Sequence, residues 1–207
     1  EGSGGNPGTV ALVGYPEGNA PTGTLTVAEA VYDGGTNYTV TEIGEEAFSW
    51  CDGITEVVIG NSVKTIRDEA FTRTNIASIN LPASVEVIGE DAFYGCEELT
   101  GFTVDEANSN FSAKDGVLYS KDGKNLILYP AGKTGDSYII PDSVETIGKG
   151  AFSGNVNIKT IDTAKVVTIG DSAFNSSDLG SIDIGDSVVT IDEDAFYDCL
   201  DLETVTF

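Results

Sequence analysis

A chain of 207 residues with 40% hydrophobic content, nine Phe and eight Tyr holds enough apolar material for a packed core and is not a disordered tail. Thirty-four acidic residues against ten basic ones leave a formal net charge of −24, a surface that nucleic acid and anionic lipid would repel. With no histidine, the common general base, the usual activator of a nucleophile and the main zinc ligand are all missing.

In chain order, residues 1–8 (EGSGGNPG) read as a flexible N-terminal segment. Val10–Val13 and Leu25–Val27 read as short strands around a Pro/Gly-rich loop from Gly14 to Gly23. Asp33-Gly34-Gly35 then predicts a tight turn before Tyr38-Thr39-Val40. Residues 9–39 lack the pattern that fills the rest of the chain, as expected of an N-terminal cap on a stacked array.

From residue 40 onward one pattern recurs. Ala-Phe appears at Ala47-Phe48, Ala70-Phe71, Ala92-Phe93, Ala151-Phe152, Ala173-Phe174 and Ala195-Phe196. The period is about 22 residues, with one longer interval between the third and fourth copies. Ile43, Ile66, Ile88, Ile147, Ile169 and Ile191 precede the alanines, and Val40, Val63, Val85, Val144, Val166 and Val188 precede the isoleucines. After each phenylalanine comes a second apolar group, such as Ile76-x-x-Ile79-x-Leu81, whose closing alternation puts one side chain in two on each face of a strand. The fourth copy departs there, with Thr163 where an apolar residue is expected. A unit this short cannot bury its apolar face alone and must stack on its neighbours, so the fold is a solenoid over residues 40–207.

The pattern Leu/Ile-x-x-Ile-x-Ile-(Pro/Gly)-x-Ser-Val-x-x-Ile-Gly-x-x-Ala-Phe-x-x-Cys resembles the BspA-like leucine-rich repeat of bacterial surface proteins. That resemblance implies a leucine-rich-repeat solenoid, a β-rich α/β horseshoe with a parallel sheet on its concave face. It also implies secreted or cell-surface proteins with a role in adhesion.

The long interval contains Asp115-Gly-Val-Leu-Tyr119 and Asn125-Leu-Ile-Leu-Tyr-Pro130, joined by Lys121-Asp-Gly-Lys124. This predicts a β-hairpin insertion at about 105–140, and Tyr138-Ile-Ile-Pro141 returns the chain to the repeat. The insertion holds four of the ten basic residues, Lys114, Lys121, Lys124 and Lys133, and offers Tyr119 and Tyr129 as an exposed pair. Carboxylates stand before nearly every Ala-Phe: Glu45-Glu46, Asp68-Glu69, Glu90-Asp91, Asp171 and Glu193-Asp194, with Lys149-Gly150 the exception. If Ala-Phe opens a short helical turn, they sit where free N–H groups and the dipole favour negative charge.

Cys51, Cys96 and Cys199 share one repeat position, occupied elsewhere by Thr74, Asn155 and Ser177. Cys51 and Cys96 are two units apart, so about 10 Å at a strand spacing of ~4.8 Å. That exceeds the ~7 Å Cα limit for a disulfide, and three free thiols acting as small buried hydrophobes are expected. No catalytic constellation, phosphate-binding loop, cofactor site or metal site can be assembled; Asp105-Glu-Ala-Asn108-Ser-Asn110 is only a fragment of a calcium loop.

What remains is surface. The solvent side of the repeat strands carries Glu56, Asn80, Thr103, Thr160, Asp162, Ser181 and Asp183, a polar and mildly acidic array. The expected function is a non-enzymatic, extracellular or cell-surface binding module, adhering to a host protein or glycan through this face or through Tyr119 and Tyr129. The alternative is a spacer with no ligand of its own. No apolar run is long enough to cross a bilayer. Phe207 ends inside a strand, and an open sheet edge there predicts further chain or end-to-end self-association.

Overall fold

The computed structural model describes residues 8–15 and 18–207, so most of the expected flexible segment at 1–8 lies outside the described residues. The first half runs β1 (Thr9–Leu12), β2 (Gly23–Thr26), β3 (Ala30–Asp33), β4 (Thr36–Ile43), β5 (Ile54–Val58), β6 (Thr65–Ile66), β7 (Ser78–Leu81), β8 (Val87–Ile88) and β9 (Gly101–Val104). The insertion supplies β10 (Phe111–Lys114), β11 (Val117–Ser120) and β12 (Asn125–Leu128). The second half follows with β13 (Ser137–Ile139), β14 (Thr146–Ile147), β15 (Thr160–Asp162), β16 (Thr168–Ile169), β17 (Ser181–Asp183), β18 (Thr190–Ile191) and β19 (Thr204–Thr206).

Each coil contributes one strand to each of two parallel sheets, making a β-solenoid. In the first half these are β1-β4-β6-β8 and β2-β5-β7-β9; in the second, β12-β14-β16-β18 and β13-β15-β17-β19. Like pairs with like: Ile43 opposes Ile66, which opposes Ile88, and Ile161 opposes Ile182, which opposes Val205. The alternation read from the repeat holds, since Ile79 and Leu81 are buried while Ser78 and Asn80 are exposed. The Gly34-Gly35 turn joins β3 to β4 with both glycines at positive φ, as a two-residue hairpin requires.

No helix forms among the described residues, which corrects the expected helical turns. In their place each Ala-Phe segment is a run of tight turns with two left-handed residues. One is the residue before alanine (Glu46, Glu69, Asp91, Gly150, Ser172, Asp194), and the other lies two after phenylalanine (Trp50, Arg73, Gly95, Gly154, Ser176, Asp198). Along this run every second N–H points to the next coil. Thus Glu69, Phe71 and Arg73 donate to the carbonyls of Glu90, Ala92 and Tyr94 in the next coil at 2.9, 2.9 and 2.7 Å. Gly150 no longer breaks a pattern, because glycine meets the same backbone demand at no steric cost.

Inside this backbone ladder the phenylalanines form a file. Phe48, Phe71 and Phe93 stack at 5.6 Å intervals, and Tyr129, Phe152, Phe174 and Phe196 stack at 5.0, 5.0 and 5.2 Å. The file is broken once, between Phe93 and Tyr129. The parallel sheets break at the same level, since β8 does not pair with β12 nor β9 with β13. Two apolar cores result, one on each side of the insertion.

The cysteine position is a second column. Cys51 and Cys96 are buried and Cys199 is partly exposed; all three are free. They do more than fill space, because the Cys96 and Cys199 thiols donate to the carbonyls of Phe71 and Phe174 in the preceding coil, at 3.1 and 2.9 Å. Thr74 sits in the same column, and its hydroxyl lies 3.3 Å from the Cys96 sulfur.

Candidate functional site

The seven polar residues expected on the strand face divide between two sheets. Glu56, Asn80 and Thr103 lie on β5, β7 and β9, where Thr24 donates to Glu56 at 2.7 Å and Thr103 to Asn80 at 2.9 Å. Thr160, Asp162, Ser181 and Asp183 lie on the other sheet, in the rows Ser137-Thr160-Ser181-Thr204 and Ile139-Asp162-Asp183-Thr206. The insertion interrupts the strand pairing between the two sets, so they do not form one hydrogen-bonded array.

The hairpin tyrosines are not a surface pair. Tyr119 and Tyr129 are 5% and 4% exposed. The Tyr119 hydroxyl pairs with that of Tyr138 at 2.5 Å, and Tyr129 takes the place of the repeat phenylalanine, stacked on Phe152. Burial, followed by the nearby Tyr138, pushes the Tyr129 phenol up to about 12. The Lys121–Lys124 turn joins β11 to β12, and a second turn at Asp115-Gly116 adds β10 to make a three-stranded meander. Three of its lysines serve the fold: Lys121 donates to the Glu106 carbonyl, Lys124 pairs with Glu145, and Lys133 donates to the Asp115 carbonyl. The Asp105–Asn110 loop is likewise self-contained, for buried Asn108 accepts from two backbone N–H groups and donates to the carbonyls of Pro82 and Val85.

The concentrated chemistry lies on the Ala-Phe turns. Trp50, the chain's one tryptophan, is 68% exposed. The Arg73 guanidinium carbon stands 4.6 Å from the centre of its ring and 5.6 Å from that of Tyr94. Arg73 makes no ion pair among the described residues, so its charge is shared only with the two π-faces. Trp50 and Arg73 both occupy the second left-handed position, where other coils place Gly95, Gly154, Ser176 and Asp198. Bulky side chains are costly there, and such outliers gather at functional sites. The ridge also shapes its surroundings: a Cβ at Gly95 would lie 2.9 Å from Arg73 Cγ, and one at Gly154 would lie 2.9 Å from the Tyr94 ring. Sequence reading misses this stack because it compares apolar columns; extending the register two residues past phenylalanine would have aligned Trp50 with Arg73.

Beside the ridge, at the break in the phenylalanine file, lies a cleft of about 270 Å³. Its floor includes Ile127, Leu128 and Tyr129, with Glu90–Tyr94 on one side and Lys149–Ser153 on the other. Lys149 spans it, 2.9 Å from both Glu90 and Asp171, and both carboxylates hold its ammonium above the usual lysine range. At the rim, the Asp91 carboxyl is raised by desolvation first and then by Glu90 and Glu69.

Asp91→Asn is therefore expected to raise the melting temperature at pH 7. A carboxyl whose native pKa exceeds its unfolded one, near 3.8, costs stability as pH climbs through that window, and the cost persists above it. Below about pH 3 both states are protonated and the gain should vanish; at pH 7 solvent screening keeps it near 0.5 kcal/mol or less. Asparagine also tolerates the left-handed backbone at 91. Melting curves at both pH values decide the matter, and a lower melting temperature for the variant at pH 7 would mean that the carboxylate has a stabilising partner.

Six copies of the BspA type leucine rich repeat region match residues 36–120 and 132–207. No curated protein matches significantly. Among solved structures, a leucine rich cell surface protein from Faecalibacterium prausnitzii is 25% identical with a TM-score of 0.60, over 88% of this chain and 59% of its own. The chain thus spans less than two thirds of that protein's length. The pneumococcal vaccine antigen PcpA (19% identity, TM-score 0.66, 95% of this chain and 74% of its own) shares the fold. So does a leucine-rich repeat protein from Eubacterium ventriosum (23%, 0.60, 89% and 72%). With its repeat matched over most of its length, the chain belongs to the BspA-type leucine-rich repeat family.

Proposed function

We propose that this chain is a non-catalytic binding module displayed on the outside of a bacterium, adhering to an extracellular protein or glycan through the Trp50–Arg73–Tyr94 ridge. One observation carries the reading: an exposed tryptophan and an arginine with no ion pair among the described residues are held side by side at backbone positions that disfavour large residues. Trp, Tyr and Arg are the residue types that dominate binding hot spots, and the polar strand faces offer none of the three. An arginine already stacked between rings has less freedom to lose on binding. The display outside the cell is supported by the family and by the likeness to a cell surface protein. The non-catalytic reading is supported by the missing histidine and by carboxylates that recur as turn residues in coil after coil.

Trp50 is its own reporter. Purified protein titrated with a panel of glycans and extracellular matrix proteins should show a blue shift of tryptophan emission with the true ligand. Measured by titration calorimetry, since Trp50→Ala removes the fluorescent reporter, Trp50→Ala and Arg73→Ala should each weaken that binding by about tenfold or more, while Asn80→Ala and Asp183→Ala should not. Binding lost in the strand-face variants instead would move the site there. No binding across the panel would favour the spacer.

A further inference from the structure

We propose that the cleft between Gly89–Gly95 and Lys149–Ser153 is a receptor for a short extended peptide bearing a lysine or arginine, which pairs with its walls as a missing coil would. This rests on the backbone ladder and is independent of the ridge reading.

The cleft exists because one arc of the solenoid is short. Leu126 pairs with Ile147, and the Tyr129 N–H donates to Ala151 O at 2.8 Å, so these residues stand where Ile and Phe stand in a regular coil. Between Ile43 and Phe48 lie residues 44–47; between Leu126 and Tyr129 lie only 127 and 128. The arc is two residues short, cuts inward, and leaves the cleft open beside it.

Both walls keep the hydrogen-bonding groups of a normal inter-coil ladder. On one side, no oxygen among the described residues accepts from the N–H groups of Asp91, Phe93 and Gly95, whose counterparts at Glu69, Phe71 and Arg73 are all paired. On the other, the carbonyls of Lys149 and Ser153 receive no donor, although those of Asp68 and Thr72 do. Donors on one wall facing acceptors on the other suit an extended main chain, which carries both, as in recognition by strand addition. A small anion could answer only the donor wall, and would meet Asp91 and Glu90. Lys149 already neutralises Glu90, leaving the Asp91 carboxylate, whose Oδ1 would lie 3.4 Å from a Cβ at Gly150, as the group that selects a cationic side chain.

The test is amide hydrogen exchange and NMR titration of the intact chain. In the free protein the amides of Asp91, Phe93 and Gly95 should exchange faster than those of Glu69, Phe71 and Arg73 by about tenfold or more. A blocked Gly/Ala hexapeptide with a central lysine should protect them and shift residues 149–153. The same peptide with glutamate should bind about tenfold more weakly, and Asp91→Asn should erase that preference. The proposal fails if the three amides are already slow, if neither peptide perturbs them, or if acetate or phosphate alone reproduces the shifts. A preference that survives in Asp91→Asn would overturn the assignment of that carboxylate. Ridge variants that lose adhesion while the amide protection persists, or the reverse, separate this site from the one above.

Discussion

Phe174→Ala is expected to destabilise the protein by ~3–5 kcal/mol in chemical denaturation, with an unchanged denaturant slope. The ring is 1% exposed and lies between Phe152, at 5.0 Å and 17°, and Phe196, at 5.2 Å and 3°. Truncation removes two stacked partners as well as buried area, and stacked pairs add ~0.5–1.5 kcal/mol each beyond their area. Nor can the hole close easily. The Phe174 N–H donates to Ala195 O and the Phe152 N–H to Ala173 O, at 2.8 and 2.7 Å, so coil spacing is held by backbone. Phe93→Ala should fall at the low end of the range. Phe93 stacks on Phe71 alone, meets Phe102 edge-on, and borders the cleft on its other side. A loss below about 1.5 kcal/mol at Phe174, or a larger one at Phe93, would contradict the file as the source of stability.

Gly132→Ala should be strongly destabilising for so small a substitution. Gly132 returns the insertion to the first stack, donating its N–H to Leu99 O at 2.8 Å. A Cβ there would overlap Glu97 O and lie 2.7 Å from the carbonyl carbon of Glu98 and 2.9 Å from Leu99 N. These are backbone atoms of the turn that leads into buried Leu99, not the ends of flexible side chains, so relief requires the two stacks to part. A cost of ~3 kcal/mol, the upper part of the overpacking range, is expected. Because each stack has its own core, the variant should also separate one unfolding transition into two. Gly180→Ala is the matched control, since nothing lies closer than 3.5 Å to its Cβ. Equal melting of the two variants would rule out a junction at Gly132.

The Ala-Phe turns show how repetition can be read correctly and explained wrongly. Carboxylates before alanine recur in nearly every coil, and helix capping accounts for them on local grounds. In the folded chain the residue before alanine is left-handed, a state that Asp and Gly tolerate and that Glu46 and Glu69 adopt because the neighbouring coil holds it. Tyr119 and Tyr129 show a different limit. Alternation says that a strand has two faces but not which one is inward; Tyr129 turned inward because the second stack needed a ring above Phe152.

By itself the sequence determined the stacking: side chains repeated at one interval have no partners but each other, so the columns of Ile, Ala and Phe and the parallel register follow from periodicity. Only the tertiary structure decided where the stack is interrupted and what stands at its surface. The short arc at Leu126–Tyr129, the cleft it opens, and the placing of Trp50 against Arg73 and Tyr94 all depend on distances between coils, and a linear pattern carries no such distances.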